Sequence, residues 1–122
     1  MIYEYRVYEA VAGKLENVQA RFRDHTVALL EKHGAKNIGY WTSEVGDYSD
    51  RLIYILAFES LEQRQQAWAG FRADPEWHKV RDKSEKDGPI VARVMNTILK
   101  PTDYSPSLQW ACCTRRTPWR RR

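Results

Sequence analysis

The sequence predicts an α+β fold of the ferredoxin-like kind, a four-stranded antiparallel sheet with helices on one face. Three observations predict it. The 122 residues allow one domain. Segments rich in β-branched and aromatic residues alternate with segments of helical period in the order βαββαβ. Two of the predicted strands are apolar on both faces, as in a sheet that is covered on both sides.

The first β-α-β unit fills the first part of the chain. Residues 2–9 alternate charged with aromatic and aliphatic side chains, which is typical of a strand. After Gly13, apolar residues recur at steps of three and four, which predicts an amphipathic helix that ends in a left-handed cap at Gly34. Residues 38–43 form the second predicted strand.

The second unit contains two helix starts with recognisable capping residues. Ser60, followed three residues later by Gln63, is a capping-box pattern. Asp74 before Pro75 predicts that a short helix restarts there, because a carboxylate caps free N–H groups and proline suits the first helical position. The residues expected to point inward from these helices are Leu61, Trp68, Phe71, Trp77 and Val80.

The third and fourth predicted strands, residues 51–58 and 90–99, carry apolar side chains at both odd and even positions. Two helices cover only one face of the sheet, so something else must cover the other. Because the domain has no further element to offer, the simplest cover is the same face of a second copy. The sequence therefore predicts a homodimer in which two sheets stack into a barrel-like core.

The positive charge of the chain is concentrated at its C-terminal end. The net charge is +4, yet residues 105–122 contain five arginines and no acid, which leaves a net charge of −1 on residues 1–104. We therefore expect a domain over residues 1–104 and a basic Arg/Pro/Trp tail over residues 105–122. The tail is either an arm for phosphate-bearing partners or an accessory segment, and the domain itself does not favour nucleic acid.

The cysteines and the length of the apolar segments indicate the cellular compartment in which the protein is expected. Cys112 and Cys113 are adjacent, and a bond between neighbours would close a strained ring, so two reduced thiols are expected. No apolar run has the length of a membrane span, and the N-terminus lacks the core of a signal peptide. We expect a cytoplasmic protein without a membrane partner.

The chain resembles the NIPSNAP family of the dimeric α+β barrel superfamily from Tyr3 to Leu99. The resemblance rests on Tyr-Glu-Tyr-Arg-Val-Tyr at positions 3–8 and on further motifs in the same order and spacing, with one departure at Ala12, where the family usually has proline. It implies the fold and the dimer and little chemistry. The further motifs are His33-Gly34, Ile38-Gly39-Tyr40-Trp41 with Gly46, Arg64 with Trp68, and Asp74-Pro75-Glu76-Trp77.

The function expected from these observations is the binding of a small apolar or aromatic molecule by a homodimer. The residues expected to line the ligand pocket are Arg6, His25, Tyr40, Trp41 and Trp68. The alternative is a monooxygenase-like reaction on an aromatic or polycyclic substrate without a cofactor, in which His25 or Tyr8 moves a proton. His25 could equally be a histidine at the edge of the core, so the sequence leaves open whether the protein is an enzyme.

Glu4, Arg6 and Tyr8 project from the same side of the first predicted strand. On a sheet face covered by a partner, charged groups are costly unless they are paired. The three residues are therefore expected either to form an ion-pair set inside the dimer or to bind a polar group of a ligand. Arg6 is the best candidate for a carboxylate, since a guanidinium can engage one with two hydrogen bonds.

Trp68 and His78 have the separation of a tryptophan and a haem-ligating histidine in haem-degrading monooxygenases of the same superfamily. The first strand lacks the asparagine of those enzymes, and Pro75 interrupts the helix between the two residues. Trp68 is therefore expected in the core and His78 at the surface, and no cofactor is predicted. The chain also lacks a G-x-S-x-G elbow, a glycine-rich phosphate loop and an acid cluster suited to a hard metal, so no metal is predicted.

Overall fold

The structure is a computed structural model that describes residues 1–106. The first helical region is divided into two α-helices by a π-helical turn, and the second into two α-helices by Asp74. The elements are β1 (Ile2–Ala10), α1 (Leu15–Arg21), the π-helical turn (Phe22–Thr26), α2 (Val27–Lys32), β2 (Lys36–Thr42), β3 (Arg51–Phe58), α3 (Leu61–Ala73), α4 (Pro75–Ser84) and β4 (Val91–Leu99).

The four strands form one sheet in the order β2-β3-β1-β4, and every neighbouring pair is antiparallel. This arrangement confirms the predicted ferredoxin-like fold. β1 and β3 are central, so Arg6 of β1 lies opposite Tyr54 on one side and Asn96 on the other. Residues directly opposite one another share a face of the sheet, and these three side chains therefore point the same way.

The helix boundaries follow the capping residues that the sequence indicated. Ser60 Oγ accepts a hydrogen bond from the Gln63 N–H at 3.1 Å. Asp74 Oδ1 accepts one from the Glu76 N–H at 2.9 Å, and Pro75 occupies the first turn of α4. Gly34 ends the first helical region with a φ of +102°, a conformation that favours glycine. These predictions are confirmed.

The first helical region differs from the uniform amphipathic helix that was predicted. Within the π-helical turn the Val27 N–H bonds the Phe22 carbonyl, five residues back. Thr26 Oγ1 also donates a hydrogen bond to the Arg21 carbonyl at 3.3 Å. The wide turn accommodates one residue more than an α-helical turn, and it leaves Phe22 and Thr26 buried with Leu29 after them.

The helices cover one face of the sheet, against which the core is packed. The residues of β3 that face the helices, Leu52, Tyr54, Leu56 and Phe58, are all buried. The opposite face, which we call the open face, carries no helix of residues 1–106 and keeps large apolar side chains in solvent, including Trp41 and Leu99 at 49% and 42% exposure. The open face comprises Tyr3, Tyr5 and Val7 of β1, Gly39 and Trp41 of β2, Ile53, Ile55 and Ala57 of β3, and Met95, Thr97 and Leu99 of β4, with the charged residues Glu9, Arg51 and Arg93 at one end.

No helix in the described part of the chain is both long and apolar enough to cross a membrane. The predicted tail, with Cys112 and Cys113, lies outside the described residues except for Ser105 and Pro106.

Candidate functional site

A buried carboxylate, that of Glu4, lies at the centre of a polar cluster between the sheet and α3. The Glu4 side chain is fully buried, at 0% exposure. Its Oε1 accepts hydrogen bonds from Arg64 Nε at 2.8 Å and Trp68 Nε1 at 2.9 Å. Its Oε2 accepts from Arg64 Nη2 at 3.0 Å and from both Arg6 Nη1 and Asn96 Nδ2 at 2.9 Å. Both oxygens of Glu4 are thus fully used.

Local structure explains why these groups meet. Glu4 and Arg6 occupy alternate positions of β1 and so share a face. Arg64 and Trp68 are four residues apart on α3, and such positions lie on one side of a helix. The expectation that an ion-pair set of β1 would lie on a face covered by a partner is corrected: the set forms within a single chain, on the face that the helices cover, because the register of β1 turns the other residues of the strand toward the opposite face.

The guanidinium of Arg6 is held in place by several side chains. Nε donates to the Tyr54 hydroxyl at 2.7 Å, Nη1 donates to Glu4, and the guanidinium carbon lies 4.4 Å from the ring centroid of Trp68. Tyr8 also contributes a side-chain hydrogen bond to the Arg6 guanidinium. Burial alone would lower the pKa of Arg6, but its tyrosine neighbours and Glu4 outweigh burial and raise the pKa, so the side chain remains a cation.

The helices leave the edge of this face uncovered at β4. Val94 and Ile98, which lie opposite Tyr8 and Glu4, are 43% and 37% exposed although they face the helix side. Asn96 between them is also exposed. We call this surface the arginine cleft and define it by Arg6, Tyr8, Arg64, Val94, Asn96 and Ile98. It combines guanidinium donors with two aliphatic side chains.

Behind the cleft, the interior is filled by aromatic rings. The rings of Tyr40 and Tyr54 stack at a centroid distance of 4.9 Å, and Phe22 lies 5.1 Å from Tyr54 and 5.2 Å from Tyr8. The Tyr40 hydroxyl donates to Asn37 Oδ1 at 2.6 Å. Burial is the main cause that raises the pKa of both Tyr40 and Tyr54, so these hydroxyls stay neutral near neutral pH.

The protonation of Glu4 predicts how stability depends on pH. Burial would raise the pKa of Glu4, but hydrogen bonds from Arg64, Asn96 and Trp68 and the charge of Arg6 outweigh burial and lower it from 4.5 to about 2. A carboxyl whose pKa is lower in the folded state contributes stability above its unfolded pKa and loses that contribution as pH falls toward the folded value.

We therefore expect the free energy of unfolding to fall as pH drops from about 4.5 to about 2, with Glu4 contributing on the order of 3 kcal/mol. Asp74 acts in the same direction, because hydrogen bonds from His33 and Lys32 lower its pKa. Urea unfolding at a series of pH values measures the effect. A Glu4→Gln variant should show a weaker dependence than the parent, and an identical dependence would contradict the role assigned to Glu4.

The structure does not bring the five predicted pocket residues into one pocket. Arg6 and Trp68 are in contact, and Tyr40 lies behind them against Tyr54. Trp41 is on the open face, because consecutive residues of a strand point to opposite faces. His25 is exposed and lines a groove between the first helical region and α4.

Trp68 is buried as predicted, and its indole N–H bonds Glu4. The His78 ring is hydrogen bonded through Nε2 to the Arg72 carbonyl at 2.6 Å, so the two residues are engaged in separate contacts. Within residues 1–106 no three His, Cys, Asp or Glu side chains are grouped closely enough to hold a metal ion.

Sequence reasoning missed three members of the cluster. Tyr54 and Asn96 are brought to Arg6 only by strand pairing, and no local pattern points to them. Arg64 was noted only within the family resemblance, although its spacing from Trp68 is a local signal that both face one way.

Comparison with known proteins relates this arrangement to a family. A sequence model described as NIPSNAP matches residues 3–106. Among solved structures, an uncharacterised NIPSNAP-like domain protein from Burkholderia xenovorans is 26% identical with a TM-score of 0.76, and the match covers 87% of this chain and 89% of that chain. A NIPSNAP family protein of unknown function from Agrobacterium tumefaciens is 29% identical with a TM-score of 0.76 and coverage of 87% and 92%.

More distant structures share the fold. A candidate antibiotic biosynthesis monooxygenase from Nitrosomonas europaea is 14% identical with a TM-score of 0.58, and the match covers 83% of this chain and 98% of that chain. The comparison with curated proteins found no match. The sequence model covers most of the chain, including every motif that carried the resemblance. The chain belongs to the NIPSNAP family.

Proposed function

We propose that this protein is a homodimer that binds a small organic anion in the arginine cleft. The observation that carries the proposal is a charge imbalance: the guanidinium groups of Arg6 and Arg64 share the single carboxylate of Glu4. The group therefore carries one excess positive charge, and Arg6 is only 12% exposed. A partly buried charge without a counter-ion is unfavourable, and an anionic ligand would remove that cost.

The geometry of the cleft favours a carboxylate with an apolar body. The guanidinium of Arg6 is 12% exposed, and the Trp68 ring and the Tyr54 hydroxyl hold it in one orientation. A fixed, planar guanidinium suits a carboxylate. The exposed aliphatic side chains of Val94 and Ile98 flank Asn96 and would receive the apolar part of the ligand.

The homodimer part of the proposal rests on the open face. Apolar residues from all four strands lie on it, and no helix of the described part of the chain covers them. An apolar surface with charged residues at its edge is typical of a protein interface. A second copy that presents the same face would bury both surfaces in a two-fold symmetric contact.

The pKa shifts favour binding over the monooxygenase-like alternative. A general base needs a pKa near the working pH, whereas the pKa of Glu4 is lowered to about 2 and the pKa of Tyr54 is raised above its usual range. Of the two residues expected to move a proton, His25 lies outside the cleft and Tyr8 lines it. The similarity to the monooxygenase structure is a similarity of fold alone.

Calorimetric titration with 1-naphthoate and with the uncharged 1-naphthylmethanol tests the proposal. We expect naphthoate to bind more tightly, and Arg6→Gln to weaken it by about tenfold to a hundredfold, since hydrogen bonds to charged groups contribute about 1.5–3 kcal/mol. Arg6→Gln leaves Glu4 paired with Arg64, so the fold should persist.

The matched control is Arg93→Gln. Arg93 is on the neighbouring strand, 67% exposed, and pairs with Glu9 on the other side of the sheet. Its substitution should change the affinity for naphthoate by less than about twofold. Equal affinities for the two ligands, or equal effects of the two substitutions, would refute binding at Arg6.

A further inference from the structure

A groove with a volume of about 640 Å³ separates the first helical region from α4. Ala20 and Val80 supply its apolar lining, and Arg21, His25, Lys79 and Lys83 supply its basic groups. It is formed by helices alone and shares no lining residue with the arginine cleft.

The side chain of Arg21 is the unusual feature of the groove. It is 4% exposed, and its Nη1 donates to Ser84 Oγ and to Glu85 Oε2, each at 3.1 Å. Its guanidinium lies 5.1 Å from the ring centroid of Trp77. The Nε atom is buried without a hydrogen-bond partner, and Nη2 has none among residues 1–106. A buried donor without an acceptor costs about 1–3 kcal/mol.

The π-helical turn begins immediately after Arg21. Its wide geometry buries Phe22 and Thr26 and leaves Asp24 and His25 exposed at the groove. Such turns frequently mark functional sites, because they change the direction of side chains relative to an unbroken helix. The same turn therefore brings a histidine to the edge of the surface that holds Arg21.

The charges of the groove favour an anion. Lys79 and Lys83 are one turn apart on α4 and face the groove with Arg21. The charge of Arg21 is offset by Glu85, and that of Glu76 by Lys32 within 3.8 Å. The lining charges without an ion-pair partner among residues 1–106 are then Lys79 and Lys83 against Asp24, an excess of one cation.

We propose that this groove is a second ligand site, which binds an organic molecule with a carboxylate or phosphate group. Arg21 receives the anionic group together with Lys79 and Lys83, and Ala20 and Val80 contact the apolar body. The proposal does not depend on the arginine cleft, since the two sites have no residue in common.

Chemical-shift mapping on the full, ¹⁵N-labelled chain tests this site with hexanoate, hexyl phosphate and hexanol as probes. Either anion should produce saturable shifts at the amides of Ala20, Arg21, Val80 and Lys83, and hexanol should bind at least about tenfold more weakly. The anion that binds more tightly shows whether the site prefers a carboxylate or a phosphate. Shifts confined to Val94, Asn96 and Ile98, or no saturable shift, would overturn the proposal.

Substitutions provide the second arm of the test. Arg21→Gln should weaken anion binding at least about tenfold, whereas Arg23→Gln, at a position 61% exposed on the same helical region, should leave it within about twofold. Because Arg21 is buried, the Arg21→Gln protein could fail to fold. In that case the affinity of the Lys83→Gln variant, which changes an exposed residue, tests the proposal. It should weaken binding about threefold. Unchanged affinity in a folded Arg21→Gln protein, or in Lys83→Gln, would refute the site.

Discussion

Substitution of Glu4 by glutamine is expected to lower the free energy of unfolding by about 3–5 kcal/mol, the usual consequence of removing one partner of a buried ion pair. Glutamine has nearly the same size, so packing changes little. Its amide lacks the negative charge, however, and Arg6 and Arg64 would face each other without a counter-ion. The amide nitrogen would also meet donors, because Trp68 and Asn96 both donate to this side chain.

Urea unfolding followed by circular dichroism measures this loss. Glu16→Gln is the control, because Glu16 is 76% exposed and its partner Arg23 is 61% exposed. Exposed pairs contribute about 0–1 kcal/mol, so the control should lose no more than that. Adding Arg64→Gln to Glu4→Gln removes one of the unpaired charges and should recover part of the stability. Equal losses in the Glu4 and Glu16 variants would show that the buried cluster contributes no more to stability than an exposed ion pair.

Substitution of Ile55 by glutamate is expected to separate the proposed homodimer into monomers. Ile55 is on the central strand β3 and faces the open face beside Tyr5. In a two-fold contact the substitution occurs twice, and each buried, unpaired carboxylate costs several kcal/mol. The dissociation constant should therefore rise by about a hundredfold or more.

Light scattering reports the result directly, because the parent should have twice the mass of the 14.4 kDa chain. Leu61→Glu is the control, since Leu61 at the start of α3, on the helix side of the molecule, is 60% exposed and does not point inward as the sequence predicted. It should leave the mass unchanged. A parent protein that is monomeric, or an Ile55→Glu protein that remains dimeric, would contradict the assignment of the open face.

The arrangement of the site illustrates where sequence reasoning succeeds. Arg6 and Trp68 were both expected at a pocket and are in contact. Strand alternation placed Glu4 and Arg6 on one side of β1, and they do bond each other. Strand alternation does not show whether Glu4 and Arg6 face the helices or the open face, because both faces of the sheet carry apolar residues. The sequence also places Trp41 beside Tyr40 in the pocket, because it does not show which face of the sheet is covered by helices. The pairing of β2 with β3 shows that Trp41 lies on the open face.

The first helical region shows a second limit. Apolar residues at steps of three and four fit a continuous helix and a helix with one wide turn equally well, so His25 was expected beside the pocket. The π-helical turn leaves it exposed at the groove instead.

The sequence alone determined the order of the strands and helices, the capped helix starts at Ser60 and Asp74, and the left-handed end at Gly34. These features depend on residues within one helical turn of each other, so local chemistry is sufficient. Only the tertiary structure decided that Glu4 is the centre of the polar cluster. Its partners Arg64, Trp68 and Asn96 are 60 to 92 residues away in the chain, and sheet register and helix packing alone bring them within hydrogen-bond distance.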